Sequence, residues 1–172
     1  MASSERPTLI LLVRHGQTPT TGVDLYGRKP GIHLSEVGLS QAEKVAEQIS
    51  EMNQRRIAAI YSSPLERTRE TAIPISKRVG IPIKQNRGLI ELDVGDWTGR
   101  KLSQLRKLKA WSTVQKYPSG FRFPNGESFV EMQTRVSQTV DRLVANHRGK
   151  TVIAVSHADP IRALIAHAMG TH

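Results

Sequence analysis

The 172-residue chain contains no cysteine, which excludes disulfide bonds, thiolate nucleophiles and metal sites built from cysteine ligands. Its longest run of apolar residues, 9–13, is far shorter than the ~20 residues that a membrane-spanning helix needs. Residues 1–7 lack the apolar core of a signal peptide. We therefore expect no membrane partner and, by default, a cytoplasmic location.

Acidic residues are scarce. The net charge is +10, because 25 lysines and arginines stand against 15 aspartates and glutamates. Such a balance favours an anionic partner, either a phosphate ester or a nucleic acid. Length and composition predict one folded domain over residues 1–172. Within 97–126 no residue is acidic, and the basic residues there are Arg100, Lys101, Arg106, Lys107, Lys109, Lys116 and Arg122.

Short apolar runs alternate with apolar stripes at helical spacing, which predicts an α/β fold: a mostly parallel central sheet with helices on both faces. Pro74 is expected to kink or end its helix. The basic segment 97–126 has weak periodicity and is predicted to be an insertion or lid. Strands are predicted at 8–13, 57–61, 81–84 and 151–155, and helices at 40–52, from 65 onward, at 129–144 and at 161–169.

Charged and histidine side chains follow three of the predicted strands. Arg14 and His15 follow the first, Arg67 lies one turn into the helix after the second, and His157 follows the last. Ligands of parallel sheets bind at the carboxyl ends of the strands, so these four side chains are expected to converge. Arginine forks and a helix N-terminus suit a small dianion such as phosphate.

Two histidines beside two arginines predict phosphoryl transfer. A neutral imidazole can attack phosphorus, while neighbouring cations hold the transferring oxygens. The leaving alkoxide also needs an acid. Glu91, after the third predicted strand, and Asp159, which also suits the start of a helix, are both candidates, and the residues alone leave both open.

These residues lie in motifs that resemble the histidine phosphatase superfamily, phosphoglycerate mutase-like branch. The resemblance begins with Arg-His-Gly-Gln-Thr at 14–18. It continues through 62–72, 91–99, 124–128 and 155–157, in family order. Residues 27–34 and 95–103 are similar to an actinobacterial-type subgroup of phosphomutases.

The resemblance implies a role for each residue of the site and requires no metal and no cofactor. His15 would become the phosphohistidine, and Glu91 would donate the proton, with Asp159 as the alternative acid. His157 would share the clamp with the arginines. The catalytic set would be Arg14, His15, Arg67, Glu91 and His157, and the phosphate-binding set Arg14, His15, Gln17, Thr18, Arg67 and His157.

Three departures from the family pattern stand out. Thr21 replaces a common asparagine, which puts one phosphate contact in question, and Ala158 replaces the glycine that usually follows the second histidine. Relatives usually continue beyond the position of His172 with another strand and a tail. We therefore count a truncated C-terminus and a bare sheet edge among the expectations.

The sequence favours a phosphomonoester phosphatase, a hydrolase that acts on a small phosphorylated metabolite. The first alternative is a phosphoglycerate mutase-type phosphomutase, an isomerase. The second is a non-catalytic module that binds phosphate or nucleic acid. Five of the eight aromatic residues lie in 97–126. Packing onto the core explains them best, a lid that recognises the substrate is the alternative, and nucleic-acid binding is not expected. A homodimer is compatible with the sequence.

The remaining histidines show no acidic or histidine partners at ligand spacing and are predicted to be structural or surface residues. Arg69 is expected to point away from the site that Arg67 faces. Trp97 and Gly99 are expected to serve packing and a turn. The histidines in question are His33, His147, His167 and His172.

Overall fold

The computed structural model describes residues 6–52 and 57–171, and its centre is a sheet of four parallel strands. In chain order the elements are β1 (Leu9–Arg14), β2 (Asp24–Leu25), α1 (Glu36–Glu51), β3 (Ile57–Ser62), α2 (Glu66–Val79), β4 (Ile83–Gln85), β5 (Arg100–Lys101), α3 (Leu102–Leu105), α4 (Lys109–Lys116), α5 (Phe129–Asn146), β6 (Thr151–Ser156) and α6 (Ala158–Ala168). The strand order is β1-β6-β3-β4, and β2 and β5 form a separate antiparallel pair. The predicted α/β fold is confirmed.

The two faces of the sheet are covered by different helices. On one face Ile153 and Val155 pack with Ala46 of α1 and Ile75 of α2. On the other face lie α5 and α6, which contribute Val136, Leu143 and Leu164 to clusters with the sheet. Every residue of β6 is buried. Burial on both faces explains why this strand is a continuous apolar run rather than an alternating one.

Two element boundaries differ from the sequence prediction. Helix α1 begins at Glu36 because the side chain of Ser35 caps it, accepting a hydrogen bond from the backbone N–H of Gly38 at 3.1 Å. Strand β4 begins only at Ile83, after Pro82, which has no N–H to donate to a neighbouring strand.

Pro74 was expected to kink or end its helix, and the prediction that it ends the helix is wrong. Helix α2 continues past this buried proline to Val79 and ends at Gly80, which adopts the left-handed conformation with φ of 70°. A proline inside a helix costs about 3 kcal/mol. Packing of α2 against α1 and the sheet, through Ala72 and Ile75, offsets that cost.

The basic segment 97–126 holds β5, α3 and α4, and its aromatic rings pack inward. Trp97 is 4% exposed; its ring stacks on Trp111 and contacts Phe121 and Phe123. These rings join one hydrophobic cluster with Met132 of α5. The packing interpretation of these aromatics is therefore the one that the structure supports.

None of the helices in the described part of the chain combines the length and the apolar character that crossing a bilayer requires. The organisation of residues 1–172 as one domain stays a prediction.

Candidate active site

Three neighbouring strands end at the same level of the sheet. Arg14, the last residue of β1, is in register with Ser156 of β6, and Ser62 of β3 is in register with Val155. The backbone N–H of His15 continues the ladder by donating to the carbonyl of Ser156 at 3.1 Å. Adjacent parallel strands thus bring His15, Ser63 and His157 to one edge of the sheet, as the topology predicts.

His15 is held as a neutral imidazole. Its Nδ1 lies 2.7 Å from the carbonyl oxygen of Gly16, which can only accept, so the proton sits on Nδ1 and Nε2 keeps a free lone pair. Burial, together with the charges of Arg67 and Arg14, lowers the pKa of His15 to about 4. At neutral pH the ring therefore has the ionisation state that a nucleophile needs.

His157 lies against His15, with the two ring centroids 5.2 Å apart. The His157 ring is fully buried, and its Nε2 is hydrogen-bonded to the hydroxyl of Ser63 at 2.8 Å. Burial lowers its pKa well below the usual value. Its Nδ1 has no hydrogen-bond partner in the described residues and lies 3.9 Å from Oε2 of Glu91. Because burial disfavours charge on both groups, we regard this contact as a neutral pair rather than an ion pair.

Arg67 is a buried arginine with one free arm. It is 4% exposed, whereas Arg69, two residues on, is exposed, as expected for the opposite side of α2. Its Nη2 donates to the carbonyl of Gly27 at 2.8 Å. Its Nη1 is buried and has no partner within the described residues. That atom can donate a hydrogen bond to a bound anion.

Glu91 carries the second unusual ionisation. Burial, and next the charge of Asp159, raise the pKa of the Glu91 carboxyl to about 8. The group is therefore largely protonated at neutral pH and can act as an acid. Asp159 lies in the first turn of α6, and burial also raises its pKa. Its Oδ1 lies 3.8 Å from Nη1 of Arg162.

A network behind Glu91 was not found from the sequence. The carbonyl of Glu91 accepts from Nε of Arg28 at 2.8 Å and from Nη2 of Arg135 at 3.4 Å. Glu127 joins the two guanidinium groups through 2.9 Å contacts to each. Two sequence resemblances touched this network, at 27–34, which contains Arg28, and at 124–128, which contains Glu127, but neither assigned a role to these residues. The network fixes the backbone that carries the candidate acid.

The predicted site residues border a cavity of about 160 Å³. An adjoining cavity of about 440 Å³ also touches Arg14 and His15, and Gln17 lines this second cavity only. Thr21 borders both, and its hydroxyl lies 2.9 Å from that of Thr18. His157 is fully buried and lines neither cavity. The predicted residues on the smaller cavity are Arg14, His15, Thr18, Arg67, Glu91 and Asp159.

One expectation about the other histidines needs correction. His33 does have an acidic partner, since its Nδ1 lies 2.5 Å from Oε1 of Glu70, and this contact raises the pKa of His33. The two residues are 37 positions apart, so the ligand spacing in the sequence does not pair them. His147 bonds the hydroxyl of Tyr61, His167 is exposed, and His172 lies outside the described residues. In the described ranges no group of three potential ligands is placed to hold a metal.

Comparison with known proteins gives a consistent set of matches. A family model described as the histidine phosphatase superfamily (branch 1) matches residues 10–172. A bifunctional protein of Mycobacterium tuberculosis is 31% identical over 95% of this chain, which spans only 44% of that protein's length. Phosphoserine phosphatase 1 of Hydrogenobacter thermophilus is 30% identical over 94% of this chain and 76% of its own. The structure of a mycobacterial glucosyl-3-phosphoglycerate phosphatase superposes with a TM-score of 0.84 at 28% identity, covering 95% of this chain and 80% of that one.

Proposed function

The chain belongs to the histidine phosphatase superfamily (branch 1), and we propose that it is a phosphomonoester phosphatase that works through a phosphohistidine on His15. The observation that carries the proposal is a pair of opposite ionisation states in one cavity. The pKa of His15 is about 4 and that of Glu91 about 8. At pH values between these two pKa values, Nε2 of His15 carries no proton while the carboxyl group of Glu91 retains one.

In the first step Nε2 of His15 forms a bond to phosphorus, and the bond from phosphorus to the ester oxygen breaks. The electron pair leaves with that oxygen, which takes the proton of Glu91. Arg14 and Arg67 hold the phosphoryl oxygens, with Nη1 of Arg67 free to donate. The neutral imidazole of His157 supports the ring of His15 from behind the reacting atoms, since the two rings are 5.2 Å apart and Ser63 orients His157.

In the second step water attacks the phosphohistidine. Glu91, now a carboxylate, removes a proton from that water, and the bond between phosphorus and Nε2 breaks. The products are inorganic phosphate and the starting enzyme, so protons and charges balance over the cycle. No step draws on a metal or cofactor.

The size of the cavity supports a small substrate. The two adjoining cavities at His15, of about 160 and 440 Å³, are comparable in size with pockets that bind small molecules. The names of two similar proteins, a phosphoserine phosphatase and a glucosyl-3-phosphoglycerate phosphatase, also denote phosphomonoesters. We propose a small phosphorylated metabolite as the substrate. The cytoplasmic location and a homodimer stay predictions.

Trapping of the intermediate tests this function. Rapid acid-free quenching during turnover of p-nitrophenyl phosphate should yield protein with one phosphoryl group, stable in base and labile in acid, on the peptide that contains His15. His15→Ala should show neither turnover nor labelling while its thermal unfolding remains cooperative. Substantial turnover by this variant would exclude His15 as the nucleophile.

The acceptor needs its own experiment, because a phosphomutase shares the first step. We expect 3-phosphoglycerate supplied with a trace of 2,3-bisphosphoglycerate to give slow phosphate release and no rapid formation of 2-phosphoglycerate. Interconversion faster than phosphate release from every monoester tried would show that the enzyme is an isomerase.

A further inference from the structure

Asp24 is an unexplained carboxylate in the wall of the catalytic cavity. Its Oδ2 accepts a hydrogen bond from the hydroxyl of Tyr26 at 2.9 Å. Its Oδ1 is buried and has no hydrogen-bond partner among the residues that the structure describes. A buried acceptor without a partner is costly, and a charged one more so. A ligand in the cavity that carries a hydrogen-bond donor would satisfy this oxygen.

Asp24 forms no ion pair within the part of the chain that the structure describes. Within residues 6–52 and 57–171 no basic side chain forms an ion pair with it, although Lys101 is its backbone partner in the β2–β5 ladder. The cations that border the same cavity, Arg14 and Arg67, also make no ion pair with it in these ranges. Of the three carboxyl groups on this cavity, Glu91 contacts His157 and Asp159 contacts Arg162, whereas Asp24 forms no ion pair in the described ranges.

Two further polar atoms of the cavity also lack partners in the described structure. They are Nη1 of Arg67, a donor, and Oγ1 of Thr20. The free arm of Arg67 fits the phosphoryl group of the proposed reaction. Oγ1 of Thr20 can accept as well as donate, and Oδ1 of Asp24 only accepts. One ligand that carries both a phosphate and a hydrogen-bond donor would satisfy all three atoms.

We propose that Asp24 binds a protonated amino group of the substrate, so that the enzyme selects phosphomonoesters with an ammonium group a few bonds from the phosphate. This inference rests on the proposed phosphatase function. An ammonium group supplies both the donor and the positive charge that the carboxylate lacks, and such charge-assisted hydrogen bonds are stronger than neutral ones. Because Asp24 and Arg67 border the same cavity, one substrate that contacts both would carry its ammonium and phosphate groups close together.

Three esters of nearly equal size test the proposal: 2-aminoethyl phosphate, 2-hydroxyethyl phosphate and propyl phosphate. They differ at one terminal group, which is ammonium, hydroxyl or methyl. We expect kcat/KM for the amino ester to exceed that for the propyl ester by roughly 10- to 100-fold, with the hydroxyl ester well below the amino ester. In Asp24→Asn the ratio of amino to propyl ester should fall by about tenfold or more. Comparing ratios between enzymes cancels the intrinsic reactivity of the esters.

Two matched controls separate Asp24 from other carboxylates. Asp141→Asn, an exposed position of α5, should keep the wild-type ratio. Asp159→Asn probes the other aspartate of the cavity, and its ratio should change much less than that of Asp24→Asn. Thermal unfolding of each variant checks that it folds.

Several results would overturn the proposal. An unchanged ratio in Asp24→Asn would mean that its free oxygen is satisfied by solvent alone. A collapse of the ratio in Asp159→Asn alone would assign the amino group to the other aspartate. Equal kcat/KM values for the hydroxyl and amino esters would show that charge is not recognised. Turnover of p-nitrophenyl phosphate reports separately on the phosphatase function: if it is present, any of these results counts against Asp24 only, and if it is absent, the proposed function itself fails.

Discussion

Substitution of Glu91 by glutamine removes the proton that the leaving group needs while keeping the shape of the side chain. General acid catalysis contributes about 10²- to 10⁴-fold to rate. We expect Glu91→Gln to lower kcat/KM for propyl phosphate by that amount. Hydrolysis of p-nitrophenyl phosphate should fall far less, because its phenolate leaves without a proton.

The pH dependence follows from the two shifted pKa values. With the pKa of Glu91 at about 8, about nine-tenths of the enzyme holds the proton at pH 7 and about one-tenth at pH 9. Activity on propyl phosphate should therefore fall about tenfold per pH unit above pH 8. At the acid end activity should fall as pH drops through about 4, because His15 gains a proton there and loses its lone pair.

The assay is a pH profile of kcat/KM for wild type and Glu91→Gln with both esters. The ratio of wild type to variant cancels the ionisation of the substrate phosphate, which titrates near pH 6. For propyl phosphate this ratio should be constant up to pH 7 and decline toward pH 9. A ratio that does not change with pH, or an equal loss on both esters, would refute Glu91 as the acid and favour Asp159.

Three further outcomes are expected. Glu127→Gln should weaken the bridge between Arg28 and Arg135 and so lower activity on propyl phosphate more than on p-nitrophenyl phosphate, whereas an equal loss would indicate a purely structural role. Gly38→Ala would place a Cβ 2.0 Å from the carbonyl oxygen of Gln17. Urea unfolding should therefore show that the free energy of unfolding falls by about 1–3 kcal/mol. An unchanged midpoint would contradict the close approach of α1 to Gln17. A chelator should leave turnover unchanged, since nothing in the proposed cycle uses a metal, and inhibition that added metal reverses would overturn this.

The sequence by itself determined the parallel sheet and the meeting of its strand ends. Continuous apolar strands such as β6 must be covered on both faces, and parallel strands put all their carboxyl ends at one edge. These two rules place His15 and His157 at one edge of the sheet, and Arg67 in the first turn of the helix after β3. The strand order β1-β6-β3, which makes them neighbours, comes from the tertiary structure. Local signals were weaker where packing overrides them, as at Pro74, which the helix tolerates because its neighbours are buried.

The ionisation states and the free hydrogen-bonding atoms were decided only by the tertiary structure. Glu91 holds its proton because burial removes water from its carboxyl group, and no spacing of residues encodes that loss of water. Its carbonyl is fixed by Arg28 and Arg135, which lie far from it in sequence. Asp24 is distinguished because one of its oxygens has no hydrogen-bond partner in the described part of the chain. Such properties depend on which distant side chains surround a group, and they exist only once the chain has folded.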